Sequence, residues 1–255
     1  MTENRPAESM RLLLLIGAKN EETQLEKTVR GLQAACSPET AAGMVILLAR
    51  TATEGCVRTA RALQGNAFPI PVETVQQPTD DIPASINAVL GDGRDASHIL
   101  CLASDYFVES SAIADLIARA EQDRGAIYKL SRALPGGSFS PHYRAGMVPL
   151  YRLFCVFIRA LYMCGITDPS FTVMVVPVRL FQSIRFRRTS LAFLLEWMYA
   201  LLRAKIPIVE IPAVNLPRTE GENSTNLAAR LRHAAIAVRT RVVPAKKLWK
   251  EGYTP

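Results

Sequence analysis

The stretch that most constrains this chain runs from His98 to Ser110, HILCLASDYFVES. Ile99, Leu100, Cys101 and Leu102 form a short unbroken apolar run, with the length and composition of a strand buried on both faces of a sheet. The run stops at Ala103, Ser104 and Asp105, so a carboxylate stands where a buried strand would leave the core. In open α/β folds that is the edge at which ligands bind. Asp105 is therefore the first candidate for chemistry. The alternative is that it begins a turn or caps a helix over 111–124, since Asp and Ser favour both positions.

The rest of the chain repeats the pattern. Leu12 to Ile16 reads as a strand, followed by the polar turn GAKNEE and a helix with apolar residues at Leu25, Val29 and Leu32. Met44 to Leu48 is a second buried strand, leading through ARTATEG into a helix over 57–63. Phe68 to Val75 carries Pro69 and Pro71, which restrict it to an irregular or edge strand. A short helix over 82–90 then precedes the central strand. Strands alternating with helices imply right-handed βαβ units and a mostly parallel sheet.

Further on, Ala126 to Leu130, Phe171 to Val176 and Ile206 to Ile211 read as strands, and Leu191 to Arg203 as an amphipathic helix containing Glu196. SRALPGGSFSP is a loop rich in glycine, proline and serine. Met147 to Ile166 is strongly apolar but carries Arg152 and Arg159, seven positions apart and so near one helix face. A membrane-spanning helix tolerates such arginines poorly, whereas an interfacial helix places them at its polar edge. A core helix with two snorkelling arginines is the alternative.

Composition narrows the class. With 49% hydrophobic and 21% charged residues, 255 residues can bury a full core. The five scattered cysteines point away from a disulfide framework or a zinc site and fit a reducing cytoplasm. Leu12 to Ile16 leads into a polar turn, not a small-residue cleavage site, and so is not read as a signal peptide. The net charge of +7 is uneven: Arg230, Arg232, Arg239, Arg241, Lys246, Lys247 and Lys250 precede a single acid, Glu251. No aromatic-studded basic sheet accompanies this run, so an anionic membrane surface ranks above nucleic acid as its partner.

In order and spacing these segments resemble the family 2 glycosyltransferases, and more narrowly the branch of dolichol-phosphate mannosyltransferase and other polyprenyl-phosphate glycosyltransferases. The family's first strand ends in P-A-Y-N-E-E, here Gly17 to Glu22; its second in D-D-G-S-T-D-G-T, here Ala49 to Cys56; its D-x-D is Ala103, Ser104, Asp105. Its S-R-x-x-x-G-G resembles Ser131 and Arg132 with Gly136 and Gly137, and its D-P-x-S-G-F resembles Asp168, Pro169, Ser170 and Phe171 without the glycine. Its G-x-x-I-V-E-V-P and R-x-x-G-x-S-K resemble IPIVEIP, then Arg218, Gly221 and Ser224 without the lysine.

The resemblance implies an α/β GT-A (nucleotide-diphospho-sugar transferase) fold, a mostly parallel central sheet flanked by helices. It spans residues 1–230, with 231–255 as a basic helical tail. It implies contacts to the nucleotide-sugar from Ala18, Asn20, Glu21, Arg50, Glu54, Ser104, Arg132, Arg144 and Ser224. It implies catalytic roles for Asp105, Asp168, Glu196 and Arg218, with Asp105 holding Mg²⁺ or Mn²⁺. Two acids of the pattern are missing, at Ala49 and Ala103. Asp105 then supplies one carboxylate, and Mg²⁺ can bind through one carboxylate plus substrate phosphates. Arginines at 132, 144 and 218 offer the alternative of clamping phosphates directly.

Three functions stay open at this point. The first moves a sugar, with inversion, from a nucleotide donor to a polyprenyl phosphate at the cytoplasmic face of a membrane. The second glycosylates a soluble small molecule or peptide, with Glu196 or Asp168 as general base. The third is a nucleotide-sugar binder that has lost catalysis, motivated by Ala49 and Ala103.

Overall fold

The computed structural model describes residues 9–104, 108–139, 147–190, 192–216, 227–251 and 253. Its centre is a seven-stranded sheet: β1 (Leu12–Ala18), β2 (Ala41–Leu48), β3 (Val72–Gln76), β4 (His98–Ala103), β5 (Ile127–Ser131), β6 (Met174–Pro177) and β7 (Ile208–Pro212). In space the strands lie in the order β3-β2-β1-β4-β6-β5-β7. All run parallel except β6, which is antiparallel to both β4 and β5. This is the α/β, GT-A arrangement: a mostly parallel sheet with helices on both faces.

The apolar run of β1 explains why it is central. Because successive side chains of a strand point to opposite faces, Leu12, Leu14 and Ile16 enter one core layer and Leu13 and Leu15 the other. The first layer is closed by α1 (Glu22–Ala35), α2 (Glu54–Gln64) and α4 (Ser110–Gln122), through residues such as Leu25, Val29, Leu32, Leu63 and Leu116. The second is closed by α3 (Ile82–Gly91), α5 (Met147–Tyr162), α6 (Val178–Ser183), α7 (Phe193–Arg203) and α8 (Leu227–Val242).

Local signals set the helix ends. The Thr53 hydroxyl accepts the Cys56 amide at 3.3 Å to cap α2, and Asp81 accepts the Ala84 amide at 2.9 Å to cap α3. Every residue of α7 from Phe193 to Leu202 is buried, and Lys205, with φ of 57°, lies just past its end.

Several expectations shift. The strand expected over 68–75 shortens to β3, which starts just after Pro71 and takes a sheet edge. β6 starts at Met174 rather than at 171 and reverses direction, which a short apolar run does not reveal. α6, a turn and a half long, was not anticipated from periodicity. The basic segment after 230 does not stand apart: α8 begins at Leu227 and packs on α5 and α7, with Ile236, Ala237, Val243, Leu248 and Trp249 buried in the second core layer. Its buried stripe belongs to the same core as the rest of the sheet.

Candidate functional site

Because β6 is reversed, the carboxyl ends of β1, β4, β5 and β7 and the amino end of β6 meet along one edge of the sheet. This is the edge where an open α/β fold leaves a crevice for ligands. Two constellations sit there.

The first lies where β1 and β4 end. One oxygen of Glu21 (Oε2) accepts the amides of Lys19 and Asn20, each at 3.0 Å, and the Ser104 hydroxyl at 3.1 Å. Burial alone would raise the Glu21 pKa, but the hydrogen bonds from Asn20, Lys19 and Ser104 hold it below the ordinary carboxylate value. Glu21 is thus an ionised clasp between the β1 loop and the end of β4. Ser104, itself buried, donates its amide to Gly17 O at 2.8 Å and accepts the Thr28 hydroxyl at 3.2 Å on its carbonyl. Ala18 is buried beside them, and Asn20 is exposed.

At the end of β2, the Ala49 amide bonds Ala18 O at 2.9 Å, and Ala49 O accepts the Gln76 side-chain amide at 2.8 Å. Arg50 follows, 3.4 Å from Asp80; both side chains are well exposed, so the pair is weak and the guanidinium retains donors for a ligand. Glu54 stands in the first turn of α2, exposed, 3.9 Å from Arg58.

The second constellation lies at the end of β5. Asp168 is fully buried and accepts the Arg132 amide at 3.0 Å, Arg132 Nε at 2.8 Å and Arg132 Nη2 at 2.9 Å, as well as the Tyr151 hydroxyl. The Arg132 guanidinium carbon stands 4.4 Å from the ring centre of Phe171 and 5.0 Å from that of Phe139. Burial would raise the Asp168 pKa, but the Arg132 charge and hydrogen bonds, with Lys129 and Tyr151, drive it far below the ordinary value. An aspartate so held neither accepts a proton near neutral pH nor meets an acceptor. The geometry therefore gives Asp168 an anchoring role in place of the general-base role expected of it. It also commits the planar fork of Arg132 to Asp168, in place of a phosphate clamp.

Below this pair lies a network that sequence reasoning missed. Lys129, fully buried in β5, donates to Leu130 O at 2.9 Å, Asp168 O at 2.8 Å and Glu210 Oε1 at 3.3 Å. Glu210 also accepts the Thr167 amide at 2.6 Å, its hydroxyl at 2.8 Å and the Asp168 amide at 3.1 Å. Lys129 and Glu210 are register partners in β5 and β7. The signal was available: a lysine and a glutamate each interrupt an apolar strand, and a buried charge needs a partner.

The glycine pair after β5 serves the same edge. Gly136 has φ of 86°, in the left-handed region that favours glycine. A Cβ on Gly137 would stand 2.7 Å from Ser131 O and 3.0 Å from the Arg132 backbone, which cannot rotate away. Gly137→Ala is expected to cost about 1–3 kcal/mol by forcing the Arg132 segment off its place. Urea unfolding checks this, and a variant within ~0.5 kcal/mol of wild type, the range of neutral surface changes, would refute the close approach.

The remaining candidates fall elsewhere. Glu196, near the start of α7, is buried, and its Oε2 accepts the amides of Arg187 at 2.8 Å and Arg188 at 3.0 Å. It ties down the loop between α6 and α7 rather than joining Glu21 or Asp168. Asp105, Arg144, Arg218 and Ser224 lie outside the described residues. Among the described residues, no group of three or more His, Cys, Asp or Glu side chains is placed to hold a metal ion.

By sequence, no protein-family profile and no curated protein matches the chain. By structure, the chain is similar to glucosyl-3-phosphoglycerate synthase from Mycobacterium tuberculosis in complex with Mn²⁺, UDP and phosphoglyceric acid. The TM-score is 0.65 at 14% identity, over 93% of this chain and 80% of that one. The same enzyme in complex with Mg²⁺ and UDP matches with a TM-score of 0.63 at 13% identity, over 93% and 81%. A further mycobacterial protein matches with a TM-score of 0.64 at 12% identity, over 93% and 76%.

Proposed function

We propose that this chain is a glycosyltransferase that takes a nucleotide-diphospho-sugar at the carboxyl edge of its sheet and passes the sugar to a polyprenyl phosphate at an anionic membrane surface. The fold supports the donor half of this reading, since its solved neighbours are bound to UDP with Mn²⁺ or Mg²⁺. In the proposed step an acceptor phosphate oxygen attacks the anomeric carbon from the side opposite the leaving group. The bond from that carbon to the diphosphate oxygen breaks, and the nucleoside diphosphate leaves with the electron pair, inverting the centre. A phosphate acceptor is already ionised at neutral pH and needs no general base. That suits a site in which Asp168 and Glu196 are both engaged in structural bonds.

Charge on the departing diphosphate must be offset. Arg50 is the described cation placed for this at the end of β2, with Arg144 and Arg218 proposed to join it. A Mg²⁺ or Mn²⁺ ion at Asp105 and the donor's own phosphates would supply further neutralisation there. Glu21 and Ser104 hold the β1 loop and the β4 end in register beneath the donor.

The observation that carries the acceptor is the outer face of α5 and α8. These helices lie side by side, with Tyr162 bonded to Ala237 O at 2.8 Å and Arg241 to Leu161 O at 3.2 Å. Leu153, Val156, Phe157, Met163, Leu231, Val238 and Val242 are large apolar side chains exposed on α5, its end and α8. Neither helix contains an acidic residue, while Arg152, Arg159 and Arg232 are exposed among these apolar side chains. An apolar face rimmed only by cations suits the interface of an anionic bilayer. No helix of the described residues is long and apolar enough to cross a membrane.

Flotation with phosphatidylglycerol-containing vesicles tests this. Each exposed leucine would gain on the order of 1 kcal/mol or more on burial among lipid tails, so Leu153→Glu with Leu231→Glu is expected to weaken binding at least ~10-fold. Melting should be little changed, because both positions are exposed. A wild-type chain that ignores such vesicles would contradict the membrane acceptor. It would favour a soluble phosphorylated acceptor, the kind of molecule that the phosphoglyceric-acid-bound neighbour holds.

A further inference from the structure

Away from the sheet edge, the loop joining α6 to α7 faces α8 across a small pocket. Its walls are Arg187 and Arg188 of the loop, Glu196 of α7, and Ile236, Arg239, Thr240 and Val243 of α8, and its volume is about 100 Å³. That is the space of roughly three waters. Glu196 is the one carboxylate in the wall, and its Oε2 is turned onto the amides of Arg187 and Arg188. None of the three guanidinium groups makes an ion pair or hydrogen bond among the described residues. Three arginines thus line the pocket against one carboxylate, a surplus of two positive charges; Arg188 is half-buried, and Arg187 and Arg239 are open to solvent.

Like charges gathered in this way repel one another, and the fold holds them together from two sides. Glu196 fixes the loop that carries Arg187 and Arg188. α8, which carries Arg239, is fixed in turn by Arg203 of α7, which donates to Thr240 O at 3.0 Å and to Val243 O. By contrast, the partly buried Arg94 and the buried Arg132 each have a carboxylate partner, Glu73 and Asp168. An unpaired cluster built on rigid supports is what an anion site requires, since planar guanidinium forks recognise the oxygens of phosphate.

We propose that this pocket binds a phosphate monoester group. A tetrahedral dianion fits the volume, and a phosphate monoester, carrying about −1.5 to −2 charge at neutral pH, matches the two surplus positive charges. A phosphodiester or a carboxylate, with one charge, would leave the pocket only half neutralised. The site is separate from the donor crevice proposed above, and it does not depend on that reading being right. Two sources can present the group: a soluble phosphate ester, or a lipid headgroup reaching in from the apolar outer face of α8.

The test uses the full chain and inorganic phosphate as probe. Radiolabelled phosphate in equilibrium dialysis is expected to bind saturably, at one site per chain, in the presence of chloride at constant ionic strength. Arg188→Gln with Arg239→Gln removes two charge-assisted contacts and should weaken this binding at least ~10-fold. Arg61→Gln, an exposed arginine of α2 outside both the pocket and the donor crevice, should leave it unchanged, which separates this site from general surface charge. Melting of the double variant without phosphate serves as the folding control; removing mutual repulsion should leave it equal to or above wild type.

A second arm compares vesicles of phosphatidic acid, a monoester, with vesicles of phosphatidylglycerol, a diester. Preference for phosphatidic acid that the double variant loses supports the site and assigns it to a headgroup. Phosphate binding without that preference supports it and assigns a soluble ester. Phosphate held no better than chloride, or held equally by the double variant, overturns the proposal.

Discussion

Replacing Asp168 with alanine is expected to destabilise the chain by about 3–5 kcal/mol, because it strands a charged guanidinium in the interior. Arg132 is itself buried, with the rings of Phe139, Tyr151 and Phe171 around it, and Asp168 takes its Nε and Nη2. Lys129, fully buried, would lose the Asp168 charge that helps keep it protonated against burial. A loss of this size is a large share of the ~5–15 kcal/mol that holds a typical domain together. Urea unfolding at neutral pH is the measurement, and a loss below ~1 kcal/mol would show that the pair contributes little.

The same pair sets an acid limit. The folded-state pKa of Asp168 lies far below the unfolded value of about 4, so its contribution is fully present above that value. It is lost progressively as pH falls below about 4 toward the folded-state pKa. Glu21, also lowered, acts with the same sign near the same pH. Wild type should therefore hold its stability from neutral pH to about 5 and lose it steeply below about 4, while Asp168→Ala should show a shallower acid limb.

How much of this was legible in the sequence differs from element to element. β1, β2 and β4 were plain because buried parallel strands are unbroken apolar runs, and Leu12, Met44 and Ile99 each begin or continue one. The edge position of β3 followed from Pro69 and Pro71, which stand just before it. The direction of β6 was not legible, since Met174 to Pro177 reads the same either way.

At the candidate site, the sequence marked residues at the ends of strands without showing what holds their side chains. Asp168 and Glu196 were candidate bases through the family resemblance. Only the third dimension shows that Arg132 sits across one of them and the Arg187 and Arg188 amides across the other. Glu21, expected to touch the ligand, spends one oxygen on its own loop and on Ser104, which its sequence position does not reveal. The pairing of Lys129 with Glu210 needed a register, and register is not written in either strand alone.

The second large effect concerns Asp105→Asn. If the carboxylate following β4 holds a Mg²⁺ or Mn²⁺ ion that would offset charge on the departing diphosphate, its loss should reduce sugar transfer by about 100-fold to 1,000-fold, the scale on which removing one such electrostatic contact acts. Far-ultraviolet circular dichroism and melting should stay near wild type, so that the loss belongs to chemistry and not to folding. Ala103→Asp, which restores an acid two residues earlier, should tighten Mn²⁺ binding in isothermal titration. Wild-type turnover in Asp105→Asn would remove this residue from the mechanism and shift the task to Arg50 and its neighbours.

The most direct measurement follows a labelled sugar from donor to lipid. The full chain is incubated with a panel of labelled nucleotide-sugars, UDP-glucose among them, and anionic vesicles carrying polyprenyl phosphate, with Mg²⁺ or Mn²⁺ present. The expected result is label in the lipid fraction, one nucleoside diphosphate released per sugar moved, and an inverted anomeric configuration in the product. No transfer and no binding of any nucleotide-sugar would contradict the proposed function, leaving a GT-A fold whose sheet edge serves some other ligand.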